Sequence, residues 1–437
     1  MNLMEKRIVI LGNGISGITA ARNIRKRSGH PITVISSESE HFYSRTALMY
    51  IYMGQMKYEH TKPYEDGFWK KNKIDLVFKH VEKINTKINS LEFSGGGFIE
   101  YDILILALGS KTNSFNWSGE HLRGVQGLYS LQDLELLERN TKDIKKAVIV
   151  GGGLIGVELA EMLWSRDIAV TLLARENYFW DNVLPHQDAK FIGQHILEQG
   201  VDLRLSTQLK EINDDGTGSV KSVTTNTGEE IECQLVGLTA GVHPNIDLLK
   251  DTDIQTNKGI LVDNYLRTNI ENIYAIGDCA EIKNPTLNRK SIEPVWYTGR
   301  QMGEALAKTI CNVPTPYDPG IWFNSAKFFE IEYQTYGNVP NQLPPEMEEF
   351  YWENKKDEKC IHLVFEKETL SFSGINVFGI RLRHEIFDTW LRDKIHITEV
   401  INNLEASNFD PELFRRYEKN IRAAFYSQFS KLTLEKK

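Results

Sequence analysis

Three glycines, Gly12, Gly14 and Gly17, are spaced as G-x-G-x-x-G, and Gly151, Gly153 and Gly156 repeat the spacing. The chemistry such a turn serves is the holding of a pyrophosphate. The first glycine permits a tight turn, the second lets the backbone approach the phosphates, and the third lets a helix pack close to a strand. Ile15 and Ser16 in the first copy, and Leu154 and Ile155 in the second, fall where the free N–H groups of a helix start would face those phosphates. A glycine-rich turn is also a general device for joining a strand to a helix. The repetition, with the same flanks, is what gives the pattern weight.

Those flanks are elements that could position the turns. Before Gly12 runs Lys6-Arg7-Ile8-Val9-Ile10-Leu11, and before Gly151 runs Lys145-Lys146-Ala147-Val148-Ile149-Val150. Both read as short buried strands, and helices are expected over Ile18 to Arg27 and from Val157 onward. A second strand follows each helix, Ile32–Ile35 and Ala169–Leu173. Glu38 lies just past the first of these, where a carboxylate can accept hydrogen bonds from a ribose; Glu40 leaves that assignment open. Each copy then runs through a meander to a strand with a small-residue turn, Leu104 to Ser110 with Ala107 and Gly109, and Leu235 to Asn245 with Gly241. A further strand delivers Gly277 and Asp278 at its C-terminal end, the edge where open parallel sheets bind ligands. A helix from Gly299 to Ile310 precedes a proline-rich linker, Val313 to Pro319. Residues 321–380 read as mainly β and 382–430 as helical.

Composition sets the outer bounds. A chain of 437 residues is too long for one core. Net charge is -8, so no nucleic-acid footprint is expected. No apolar run reaches bilayer-spanning length, no signal peptide is read at the N-terminus, and the expected location is the cytoplasm. Four cysteines, Cys233, Cys279, Cys311 and Cys360, are scattered without metal-ligand or C-x-x-C spacing.

In order and spacing, GNGISG (12–17), LILALGS (104–110), GGGLIGVELA (151–160), LTAGVHPN (238–245) and NIYAIGDCAE (272–281) resemble the pyridine nucleotide–disulfide oxidoreductase superfamily of flavoproteins. The resemblance implies an α/β fold with two Rossmann-like dinucleotide-binding domains, for FAD and NAD(P)H, plus a C-terminal α+β domain. The implied divisions are 1–116 with 246–316 for FAD, 117–245 for NAD(P)H, and 317–437. It implies that the first glycine turn holds the ADP part of FAD, with Glu38 at the adenosine ribose and Asp278 on the flavin side. The second turn would hold NAD(P)H, with Glu158 near the nicotinamide. Hydride would pass from NAD(P)H to the flavin N5, and electrons onward to an acceptor.

The disulfide-using members need a reactive cysteine beside the flavin, and residues 42–56 contain none. This counts against thiol chemistry. The closer likeness is to ferredoxin and rubredoxin reductases and apoptosis-inducing factor, through Tyr43-Ser44-Arg45-Thr46-Ala47-Leu48 and through Trp296 with Gly303. In that branch a lysine often follows the leucine by two residues and pairs with the glutamate matched by Glu158; here the position is Tyr50. Arg45 is the candidate replacement cation, and Trp296 the candidate aromatic over the flavin. The acceptor stays open between an iron–sulfur protein, a quinone and oxygen. The alternatives are an NAD(P)H oxidase or quinone reductase, and a redox sensor with slow turnover.

For the nicotinamide cofactor, Ala174 stands where an acid would select NADH, and Arg175 next to it favours the 2′-phosphate of NADPH, although Glu176 could still reach a ribose. Near the C-terminus Phe414, Tyr417, Ile421, Phe425 and Phe429 form an apolar stripe, read as a core or homodimer face, with membrane-surface docking as the sharper alternative. Arg381, Arg383 and His384 form a basic cluster suited to an acidic carrier or simply a charged helix start.

Overall fold

The computed structural model describes residues 5–286, 289–409 and 415–432. It divides into two compact units, Met1–Ile144 with Gly237–Pro319, and Lys145–Val236 with Gly320–Lys437.

In the first unit, Ile8–Leu11 lies at the centre of a parallel sheet. The strand order is Ile273–Ala275, Ile103–Leu106, Ile8–Leu11, Ile32–Ser36, Ile74–Phe78. The three central strands are short, rich in Ile, Val and Leu and almost wholly buried, as a sheet covered on both faces requires. The helix Ile15–Arg25 follows the glycine turn and packs against the helix Trp296–Ile310. That packing is close: a Cβ on Gly303 would lie 2.7 Å from the Ser16 carbonyl oxygen, and one on Gly299 would lie 2.7 Å from Ser16 Oγ. A small antiparallel sheet, Val81–Asn85, Ser90–Phe93 and Phe98–Glu100, lies off the main one.

The second unit repeats the opening arrangement. Its parallel strands run in the order Asp202–Arg204, Ala169–Leu173, Lys146–Val150, Leu235–Leu238, with the helix Leu154–Trp164 after the glycine turn. Residues 323–378 form a five-stranded antiparallel sheet, ordered Phe323–Phe328, Ile331–Gly337, Phe372–Phe378, Lys359–Glu366, Met347–Asn354. Helices His384–Arg392, Ile397–Asn402 and Glu418–Gln428 follow it.

The apolar stripe near the C-terminus is core. Tyr417, Ile421 and Phe425 are buried, and Phe425 meets Phe350 and Phe365. That packing removes the membrane-docking alternative for these residues; Phe414 lies outside the described residues. The sheet is joined to the helix His186–Glu198 by a buried polar network. His362 Nδ1 lies 2.8 Å from Asp188 Oδ1, Asn376 Nδ2 donates to Asp188 Oδ2 at 2.7 Å, and His362 Nε2 lies 3.1 Å from Glu349 Oε2. In the basic cluster, Arg381 is paired with Glu332 at 2.8 Å, and the His384 ring sits 4.1 Å from Phe323 at the helix start. No described helix is long and apolar enough to cross a membrane.

Candidate functional site

The first glycine turn is built as its spacing predicts. Gly12 has φ +115, and a Cβ there would lie 2.1 Å from the Ala107 carbonyl oxygen. Its N–H donates to Ile35 O at 2.8 Å, so the turn hangs from the neighbouring strand. A Cβ on Gly17 would lie 2.1 Å from the Gly12 carbonyl oxygen, which fixes glycine where the helix meets the turn. Gly14 differs, because a Cβ there meets no protein atom within 4 Å. Packing does not demand glycine at this position; close approach of a ligand to the backbone would. Gly14 caps the helix, no side chain caps it, and its first turn carries no acid. Ile15 begins the helix, and the Ser16 hydroxyl lies against Gly277 and Gly299.

Two half-buried carboxylates stand past the C-terminal ends of this sheet's strands. Glu38 accepts from Arg45 Nη2 at 2.6 Å, Arg45 Nη1 at 2.9 Å and the Leu131 N–H at 3.1 Å, and from the Tyr43 hydroxyl. Burial pushes its carboxyl up, but Arg45 and these hydrogen bonds outweigh burial and hold it below the ordinary value. Glu40 is exposed, which leaves Glu38 as the carboxylate facing inward. Asp278 follows Gly277 (φ +74) and accepts from Ser110 Oγ at 3.1 Å and Tyr129 Oη at 3.5 Å. Burial pushes the Asp278 carboxyl up, opposed by Ser110 and by Arg45.

Tyr129 joins the two ends, and no local motif marks it. Its hydroxyl accepts from the Ser110 N–H at 2.9 Å, its carbonyl accepts from Arg45, and the Arg45 guanidinium sits 4.4 Å over its ring. The chain Glu38, Arg45, Tyr129, Asp278 therefore runs along the edge of the sheet. Gly109 (φ +69) turns the backbone beside the Tyr129 hydroxyl, and Gly241 (φ +90) opens the strand Val242–Pro244 that pairs with Ser110–Thr112. Tyr50 is half-buried on the short helix Leu48–Tyr52. Trp296 starts its helix with its ring edge-on to Tyr297, beneath Arg300. Cys279, next to Asp278, is fully buried; it accepts from the Leu108 N–H at 3.3 Å, and burial pushes its thiol up to about 12.

The second turn has the same construction. Gly151 has φ +126 and donates to Leu173 O at 3.0 Å, and Gly153 caps the helix with open space beside it. Leu154 and Ile155 open that helix and Gly156 is buried in its first turn. Glu158 lies one turn on; burial, with Glu161 nearby, pushes its carboxyl up to about 7. Arg175 is 73% exposed at its side chain and lies 3.0 Å from Glu176, which is 16% exposed. Glu176 Oε2 is 3.8 Å from where a Gly152 Cβ would be.

The sequence pattern of the pyridine nucleotide-disulphide oxidoreductase family matches residues 6–303. The chain belongs to that family. It is accordingly an FAD-dependent NAD(P)H oxidoreductase. Rhodocoxin reductase of Rhodococcus erythropolis is 31% identical over 331 residues, 74% of this chain and 76% of that one. The nitric oxide reductase FlRd-NAD(+) reductase of Aliivibrio fischeri is 30% identical over 71% of this chain and 80% of its own length. The Bacillus subtilis nitrite reductase [NAD(P)H] is 27% identical, and only 40% of its length is covered. The putidaredoxin reductase–putidaredoxin complex shares the fold, with TM-score 0.78 at 21% identity over 96% of this chain and 98% of that one. Within this family framework the first turn fits the pyrophosphate of FAD: a helix start with no side-chain cap, a glycine with open space, and two inward carboxylates converge on one sheet edge.

Proposed function

We propose that the protein takes hydride from NADH and passes electrons singly to an iron–sulfur protein, without using a thiol of its own. The observation that carries this reading is the state of Cys279. It is the cysteine next to the flavin-side carboxylate, it is fully buried, and its thiol is held protonated. Relatives named rhodocoxin reductase and rubredoxin-NAD(+) reductase support an external acceptor. The flavin, when bound, supplies the conversion between a two-electron donor and a one-electron acceptor.

The chain's own residues do the positioning. The glycine turns and helix starts at residues 12–17 and 151–156 hold two pyrophosphates. Glu38 is kept ionised by Arg45 and orients a ribose. Asp278, held by Ser110 and Tyr129, orients the ribityl side. Glu158 meets the nicotinamide carboxamide. Arg45 is engaged by Glu38 and Tyr129, so we assign it to the adenosine half of FAD and to holding the network, with Tyr50 contributing packing near the flavin.

The donor preference is assigned to Glu176, which turns inward beside Gly152 while Arg175 turns out. A carboxylate there accepts from a ribose 2′-hydroxyl and repels a 2′-phosphate. The test is turnover with NADH and NADPH against ferredoxin, rubredoxin, quinone and oxygen. Fastest turnover with NADH and an iron–sulfur protein supports the reading; fastest turnover with oxygen or quinone overturns the acceptor.

A further inference from the structure

Away from both glycine turns, the unit containing Lys145–Val236 and Gly320–Lys437 carries a side-chain cluster with the composition of a cation site. His195 and Glu198 stand one turn apart near the end of the helix His186–Glu198, and so share a face. Glu358 comes from the turn between Met347–Asn354 and Lys359–Glu366, and Glu330 from the turn between Phe323–Phe328 and Ile331–Gly337. One ligand atom each from His195, Glu198 and Glu358 lies within 4.8 Å of the others.

The histidine is what distinguishes this cluster from a solvated acidic patch. His195 is 3% exposed. Its Nδ1 lies 2.9 Å from Glu358 Oε1. Its Nε2 is buried without a hydrogen-bond partner and faces Glu330 Oε2 at 3.8 Å. A neutral imidazole carries one N–H. With the proton on Nδ1, Nε2 is a buried lone pair turned toward a carboxylate. With the proton on Nε2, the lone pair of Nδ1 faces a carboxylate oxygen at hydrogen-bond distance. A cation on the Nδ1 side satisfies that nitrogen and Glu358 together, and leaves Nε2–H directed at Glu330. At 3.8 Å Glu330 is a charged neighbour of that nitrogen, beyond hydrogen-bond distance. The negative end of the helix dipole adds to the attraction for a cation at the same place.

We propose that His195, Glu198 and Glu358 bind one divalent first-row metal ion of the zinc type, with Glu330 beside the imidazole's other nitrogen. One imidazole with two carboxylates suits Zn²⁺ or Mn²⁺ over Mg²⁺ and Ca²⁺, which prefer all-oxygen sites. The ion would tie the end of the helix to two turns of the C-terminal sheet. Binding to the folded chain alone would stabilise it in proportion to metal concentration.

The test uses the flavin-loaded full chain, treated with chelator and dialysed. Zn²⁺ is titrated by calorimetry, and the thermal midpoint is followed with and without Zn²⁺. Glu198→Gln and Glu358→Gln carry the test, because both carboxylates are exposed and neither change opens the core. The expected result is one Zn²⁺ per chain, a raised midpoint, at least tenfold weaker binding in each variant, and unchanged midpoints without metal. Three results would overturn the proposal. One is no Zn²⁺ uptake, as for a protonated His195 simply paired with Glu358 and Glu330. Another is uptake that both substitutions leave intact. The third is displacement of Zn²⁺ by equimolar Mg²⁺.

Discussion

Glu176 and Arg175 are neighbours in sequence with opposite placements: Glu176 turns in beside Gly152, and Arg175 reaches out to solvent while holding the Glu176 carboxylate at 3.0 Å. The residue that could select NADPH is the one placed farther from the turn. Glu176→Gln should raise KM for NADH by about tenfold, the effect of about 1.4 kcal/mol, and narrow the gap to NADPH. Arg175→Ala should leave KM for NADH nearly unchanged. Steady-state kinetics with both nucleotides decide between them.

The glycines of the first turn divide into two kinds. Gly17→Ala puts a methyl group against the Gly12 carbonyl and should lower stability, by about 1–3 kcal/mol for overpacking. A Cβ at Gly14 meets no protein atom within 4 Å, so Gly14→Val should fold with an unchanged circular dichroism spectrum. It should nonetheless lose FAD, which absorbance of the purified protein reports. Normal FAD content in Gly14→Val would remove the pyrophosphate assignment.

Tyr129→Phe keeps the ring beneath Arg45 and deletes the hydroxyl shared by the Ser110 N–H and Asp278. Leaving those partly buried groups short of a partner should cost about 1–3 kcal/mol. Flavin retention on dialysis should fall with it, and denaturant titration with and without added FAD separates the two losses.

Glu158 sets a pH dependence. Its carboxyl is raised in the folded state from 4.5 to about 7, so the folded protein binds the extra proton. The stability this contributes is complete below about 4.5 and is lost as pH rises through about 7. Glu158→Gln should therefore gain stability over the parent on going from pH 5 to pH 8, by up to about 3 kcal/mol. Thermal midpoints measured without nucleotide check this; a constant difference across that range would contradict it.

What the sequence disclosed follows the range of the interactions. The strands before Gly12 and Gly151 are runs of β-branched residues, and the turn glycines are local backbone requirements. Both are legible within a dozen residues. The first helix starts at Ile15 instead of Ile18, because Gly14 already caps it. Likewise the helix expected from Gly299 begins at Trp296. Tyr129 was illegible because Arg45 and Asp278 lie 84 and 149 residues away in the chain. The same holds for Asp188, whose partners His362 and Asn376 lie 174 and 188 residues on. The inward turn of Glu176 depends on how its strand ends against Gly152, which no pattern of residue types encodes.

NADH should reduce the flavin of this protein with no redox disulfide in the chain taking part. Anaerobic titration of the purified yellow protein with NADH, followed by loss of the flavin's visible absorbance, tests it most directly. Bleaching should be complete at one equivalent of NADH per chain and unchanged after thiol alkylation. A requirement for two equivalents, or a protein that holds no flavin, would contradict it.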